Sequence, residues 1–325
     1  MNATKIFLNS FVQGAKNKPV FLLLFVFFFY SVLFVPGFRN THNIYNLALQ
    51  STHLIIVCLG YMFVMLNGSI DFSVTSTISI TSIVGAWVMT NNDGLLAGSP
   101  YASLAAISIM LLIGLIVGII NGVSVVFLKI PSFMATMAVN LVFGGYALFF
   151  SRSLSIGNLP ASFLAISRGT FLFLPITVWL TIAVVLITYY LLHCSKFGRH
   201  VFSTGMNPTA AHISGIPVKK TIFLVFIISS LIAVIGSIVM TADTGAGMPT
   251  MAARRLLDII AAVVIGGTSI FGGKGNVWGV IAGAMLITLL NNSLNMLGTE
   301  WFVINVIKGL IILSVSFLDA RNIKR

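Results

Sequence analysis

Residues 20–35 read VFLLLFVFFFYSVLFV. Lys5, Lys16 and Lys18 precede this run and Pro36-Gly37-Phe38-Arg39 follows it. A secretory signal has an apolar region of only about 7–15 residues and ends at a small-residue cleavage site. This run is longer, and Pro36-Gly37-Phe38-Arg39 is no such site. It reads as the first retained membrane span, and the remainder of the chain is laid out from it.

The 325 residues are 58% hydrophobic and 7% charged, with a mean hydropathy of +1.06. Soluble domains carry about 25% charged residues, so a water-soluble enzyme is excluded. A bilayer core about 30 Å thick takes roughly 20 helical residues per crossing. Apolar runs predict about ten crossings, centred near Phe27, Val57, Ile83, Leu115, Val142, Val184, Phe226, Ala262, Met285 and Leu310. The fold class expected is an all-α polytopic membrane protein.

The formal charge is +12, but the basic residues are scattered between apolar runs. They suit positive-inside loops and anionic lipid of the bilayer rather than nucleic acid. With the N-terminus inside, Lys5, Lys16, Lys18, Lys129, Lys196, Arg199, Lys219, Lys220, Lys274, Arg321, Lys324 and Arg325 fall inside. Arg39, Arg152, Arg168, Arg254 and Arg255 fall outside, and Lys308 lies within the last span. This asymmetry predicts a multi-pass chain with both termini cytoplasmic. Asp93, Asp243 and Glu300 read as external turns and Asp319 ends the last span, so only Asp71 and Asp258 approach membrane depth. Coupled secondary transporters commonly place several ionisable groups or an ion cage at the midplane, and few candidates exist here. Cys58 and Cys194 read as reduced packing cysteines. The five histidines form no metal-ligand pattern, so no metal is expected.

The longest polar segment, 194–220, writes a helix with both ends marked. Asn207 suits the N-cap, Pro208 the first helical position, and Gly215 the left-handed position past the end. A helix of about two turns is unstable alone in water, so Thr209, Ala210, Ala211, His212, Ile213 and Ser214 are expected to pack against something else. A motor subunit is one occupant and the lipid headgroups are the other.

This segment resembles the cytoplasmic loop of ribose-type (monosaccharide) ABC importer permeases. Gly68-Ser69-Ile70-Asp71-Phe72-Ser73-Val74 is similar to that family's Gly-Gly-Ile-Asp-Leu-Ser-Val segment. The stretch from Asp258 through Gly266-Gly267-Thr268-Ser269 to Gly272-Gly273-Lys274-Gly275 is similar to its glycine-rich signature, and Leu290-Asn291-Asn292-Ser293-Leu294-Asn295 and Lys308-Gly309 also match. The likeness runs from about Asn46 to Asp319. Ser69, Leu256 and Asn276 depart from the pattern, where the family has Gly, Glu and Ser or Thr. The resemblance implies one transmembrane permease domain and a coupling helix in the 194–220 loop. It also implies three partners: a cytoplasmic ATPase, an extracytoplasmic solute-binding protein and a second permease copy or paralogue. The membrane implied is the bacterial inner one.

The glycine-bearing segments around Gly68, Gly266, Gly267, Gly272 and Gly273 read as breaks in membrane helices, the places where gating can occur. They fall in corresponding positions of two weakly similar halves, approximately 46–150 and 220–319, as expected of repeat-built transporters. Asp71 is expected either to cap the following helix, to gate, or to touch solute. Ser73, Asn121, Asn140, Asn291 and Asn292 can hydrogen-bond a sugar in a pathway or hold helices together. Asp258, after Arg254-Arg255, opens a span where the helix dipole favours an acid. No Gly-x-x-x-x-Gly-Lys-Ser/Thr sequence occurs, so no catalytic residue or bound cofactor is assigned and ATP is expected on a separate subunit. The reading is an ATP-driven import permease for a small sugar-like solute. The alternatives are a stand-alone secondary transporter for a neutral solute and, more remotely, an intramembrane enzyme.

Overall fold

The computed structural model describes residues 19–90, 94–96, 98–300, 302–310 and 313. Lys5, Lys16, Lys18, Asp93, Asp319, Arg321, Lys324 and Arg325 lie outside the described residues. In chain order the helices are α1 (Pro19–Phe34), α2 (Thr41–Leu66), α3 (Val74–Met89), α4 (Ala102–Val126), α5 (Ser132–Phe150), α6 (Ala161–Arg168), α7 (Ile176–Tyr189), α8 (Lys196–Met206), α9 (Pro208–Ile213), α10 (Val218–Thr244), α11 (Leu256–Ile265) and α12 (Val277–Met296). Residues 302–310 are also helical. A two-residue hairpin pairs Thr170–Phe171 with Leu174–Pro175.

Every span centre expected from hydropathy falls inside a helix. Among the described residues, six helices are long and apolar enough to cross a membrane, while three further apolar ones, in α1, α3 and α11, are shorter. The chain is thus an all-α polytopic membrane protein in which some apolar runs form shorter helices, the ten residues of α11 being the extreme. The α11 run looks longer in the sequence because Gly266-Gly267 and Gly272-Gly273 are flanked by apolar residues.

Helix α10 is the axis and packs on α2, α3 and α4. Gly60 of α2 faces Ser229 and Ile232, Gly236 faces Val57, and His53 reaches Asp243, so α2 runs antiparallel to α10. On α4, Gly114, Gly118 and Gly122 stack at intervals of four against Val234, Ile227 and Phe223. Lipid tails are as apolar as leucine, so membrane helices associate by close backbone approach along such small-residue stripes. Hydroxyls bind α3 to α10: Thr81 donates to Ser237 (2.9 Å), and Thr241 donates to Ser82 (2.8 Å).

These directions place Lys129, Lys196, Arg199, Lys219, Lys220 and Lys274 at the end of the bundle that carries α8 and α9. Arg39, Arg152, Arg168, Arg254 and Arg255 belong to the opposite half. Asp243 is not in a turn. It sits in the last turn of α10, where its carboxylate accepts from Ser167 (3.2 Å) and lies 3.4 Å from the buried His53.

A Cβ at Gly118 would lie 2.8 Å from the Ile227 Cα, whereas one at Gly145 meets nothing within 4 Å. Gly118→Leu is therefore expected to destabilise the bundle by about 1–3 kcal/mol and lower its apparent unfolding temperature in detergent. Gly145→Leu is expected to leave that temperature unchanged.

Candidate functional site

The two helix breaks and the loop between the halves meet at one point. Helix α2 ends with Gly68 at φ +69°, its N–H donating to Met65 (2.9 Å) and the Ser69 N–H to Val64 (3.2 Å). Helix α11 ends the same way, with Gly267 at φ +85°, its N–H donating to Val264 (2.9 Å) and the Thr268 N–H to Val263 (3.1 Å). Both are Schellman caps, which satisfy the last carbonyls where no water is at hand. The Gly273 N–H then donates to the Leu66 carbonyl at 2.8 Å, tying the second break to the end of α2. Gly205, near the end of α8, lies directly on this contact, since a Cβ there would collide with the Leu66 carbonyl and with the Gly273 nitrogen. Gly266 lets α11 touch the backbone of α12 at Gly279 and Val280. Asn276, where the resemblance implied Ser or Thr, still caps α12 by accepting the Trp278 N–H (2.9 Å).

The 194–220 segment holds two helices where the sequence reading gave one. Ser195 caps α8 by accepting the Gly198 N–H (3.1 Å), and Asn207 caps α9 by accepting the Ala210 N–H (3.0 Å), with Pro208 at the first helical position. Gly215 stands at φ +80° and closes α9, its N–H donating to His212 and that of Ile216 to Ala211, both at 3.0 Å. Thr209, Ala210, His212, Ile213 and Ser214 are exposed, Ile213 by 81%. Ala211 is not exposed as expected. At 4% exposure it is the residue that seats α9 on the rest of the chain.

The residues suggested for a solute path occupy three places. Asp71, Ser73 and Asn121 are buried together: the Ser73 amide and hydroxyl donate to Asp71 (2.8 and 2.6 Å), and the Asn121 amide donates to the Ser73 hydroxyl (2.7 Å). Asp71 therefore ties the second residue on rather than serving as the N-cap itself, which is Ser73. These three close a break and fasten α4 to it. Asn140 accepts from Thr75 (3.1 Å) and lines a groove of about 380 Å³ with Ser76, Ser79, Gly144 and Thr250. Asn292 exchanges two hydrogen bonds with Asn43 (3.2 and 2.8 Å), joining α12 to α2, which is a helix-fastening role.

Asn291 and Asp258 belong to the third place. Asp258, in the first turn of α11, lies 2.6 Å from the Lys308 ammonium and accepts from the Asn291 amide (3.1 Å). Lys308 and Asp258 are 7% and 9% exposed. The helix dipole alone was the expected support for Asp258. The structure adds a counter-ion fifty positions away, which no local spacing could reveal. Removing one member of a buried pair costs about 3–5 kcal/mol because the other is stranded. Lys308→Met is thus expected to lower membrane yield and thermal stability sharply, and Asp258→Asn added to it to recover most of the loss, as read by monodisperse yield on gel filtration.

The family described as "Branched-chain amino acid transport system / permease component" matches residues 43–316. The ribose import permease protein of Haemophilus influenzae is 32% identical over 288 residues, covering 87% of this chain and 87% of the relative. That of Bacillus subtilis is 33% identical over 304 residues, covering 93% and 92%. The D-allose transport system permease protein of Escherichia coli is 32% identical over 305 residues, covering 94% and 91%. No solved structure matches. With its membrane helices, its two capped breaks and these relatives along nearly its whole length, the chain belongs to this family of transport-system permease components.

Proposed function

We propose that the chain is the membrane-spanning subunit of an ATP-driven importer for a monosaccharide. In this reading it pairs with a second copy or a close paralogue and hydrolyses no ATP itself. The relatives named above carry sugars in their names. The family description also covers branched-chain amino acids; the groove beside α5 sets the hydroxyls of Thr75, Ser76, Ser79 and Thr250 and the Asn140 amide among Leu141, Leu148, Pro249 and Ala253. That groove is the face we assign to the pathway, with Thr75, Ser76, Ser79 and Asn140 offering weak hydrogen bonds to a passing solute.

The observation that carries the coupling reading is the contact of Gly205 with both helix breaks. A push on α8 and α9 reaches Leu66 and Gly273 through the Gly205 contact. The ATPase docks, in this reading, on the exposed face of α9, so the lysine-bearing end that carries α8 and α9 is cytoplasmic and an extracytoplasmic binding protein meets the other end. About ten crossings, both termini inside, and two repeated halves at 46–150 and 220–319 belong to the same proposal. The matching caps of α2 and α11 support the last of these.

Ile213→Arg places a charge on the exposed face of α9 and Gly215→Val forces a β-branched residue into a left-handed conformation, a strain of about 1–3 kcal/mol. Both proteins are expected to insert normally and to retain binding-protein contact. At matched membrane abundance each is expected to lose at least tenfold in ATPase pull-down and in ATP-driven uptake. Undiminished ATPase capture by both would remove α9 from the coupling path.

A further inference from the structure

Beyond the groove, the bundle contains a second polar space that the transport reading does not use. It is a funnel of about 250 Å³ between α2, α11, α12 and the helical residues 302–310. The buried Asp258–Lys308 pair forms its floor, and Gln50, Arg254 and Asn295 stand exposed at its mouth. We infer that this funnel is a binding site for a neutral polyhydroxylated ring of monosaccharide size, held within each subunit and apart from the groove beside α5. The inference rests on the reading of the chain as a sugar permease and adds a second place where the solute stops.

Four carboxamides surround the funnel, from Gln50, Asn291, Asn295 and Asn305. Asn291 is committed to Asp258, while the side chains of Gln50, Asn295 and Asn305 make no hydrogen bond to any described residue. Polar side chains at membrane depth are costly and are kept where they face a partner or a water-filled path. Each carboxamide brings donors and an acceptor in one plane, which matches adjacent hydroxyls that both donate and accept. Leu54 and Ile304, each 5% exposed, give the funnel an apolar patch for the C–H face of a ring. At the floor the Asp258 carboxylate neutralises Lys308, while Arg254 and Arg255 line the wall above it, so a challenge with phosphate distinguishes an anion from a neutral ring.

The funnel and the groove share a wall. Pro249, Thr250 and Ala253 line the groove, Arg254 and Arg255 line the funnel, and these five lie within one connection between α10 and α11. A solute leaving one site for the other passes this connection.

The test uses the purified full chain in lipid nanodiscs and saturation-transfer NMR with D-ribose, D-allose and L-arabinose as probes, challenged by inorganic phosphate and by L-leucine. Wild type is expected to bind at least one of the sugars. Asn295→Leu and Gln50→Leu, both at exposed positions that the fold tolerates, are each expected to weaken binding about tenfold, the loss of one to two hydrogen bonds. Asn305→Leu provides a third, independent removal. Tyr101→Leu, exposed and lining neither space, is expected to leave this binding intact. Unchanged sugar binding in all three funnel variants, no sugar bound by wild type, or displacement of sugar by phosphate or leucine would each overturn the assignment. Uptake by the ATP-energised assembly separates the two readings. If wild type imports no monosaccharide, the transport reading and the funnel both fall. If it imports one and the funnel variants import it at the wild-type rate, the funnel alone falls.

Discussion

The 2.8 Å hydrogen bond from the Gly273 N–H to the Leu66 carbonyl is the contact around which the chain is organised. In a bilayer every backbone polar group must find a partner within the protein, and a chain that breaks its helices creates several unpaired groups at once. The Schellman caps of α2 and α11 satisfy most of them locally. The remaining pairing joins one break to the other, and Gly205 allows the end of α8 to press on both. A side chain at any of these glycines would force the three segments apart.

From that junction the bundle divides its polar groups by use. Some fasten helices: Asp71, Ser73 and Asn121 in one cluster, Asn43 with Asn292, and Thr81 and Ser82 with α10. Others face space, in the groove beside α5 and in the funnel floored by Asp258 and Lys308. The connection between α10 and α11 separates the two spaces and itself folds into the bundle, the Met248 N–H reaching the Ser82 hydroxyl (3.3 Å) and Gly247 exchanging backbone hydrogen bonds with Ile156. Movement of the junction therefore acts on α11, and α11 carries one wall of the funnel.

Much of this was legible before the structure because the bilayer enforces simple rules. Hydropathy placed each expected span centre in a helix, and the caps of α9 were written in Asn207, Pro208 and Gly215. Lengths were less legible: a run such as that of α11 stays apolar past the glycines that end it, so hydropathy saw a span where the backbone makes a ten-residue helix. Helix α8 was not predicted, although Ser195 stands before it as an N-cap. The inward turn of Ala211 was out of reach because six helical residues are too few to display a buried face. The Gly114, Gly118 and Gly122 stripe was present in the sequence as a four-residue repeat and marks the α4–α10 seam. The pairing of Asp258 with Lys308, by contrast, depends on tertiary placement alone.

The central claim is that ATP hydrolysis on a separate subunit, transmitted through α8 and α9 to the two breaks, moves the solute. It is tested most directly by the source of energy for uptake. Co-reconstitution of the chain in sealed vesicles with its ATPase and binding protein, and measurement of labelled monosaccharide uptake with ionophores that collapse all ion gradients, isolates that source. The account predicts uptake that requires ATP and the ATPase and survives the ionophores. Uptake by the chain alone, driven by an imposed ion gradient and abolished by the ionophores, would contradict it.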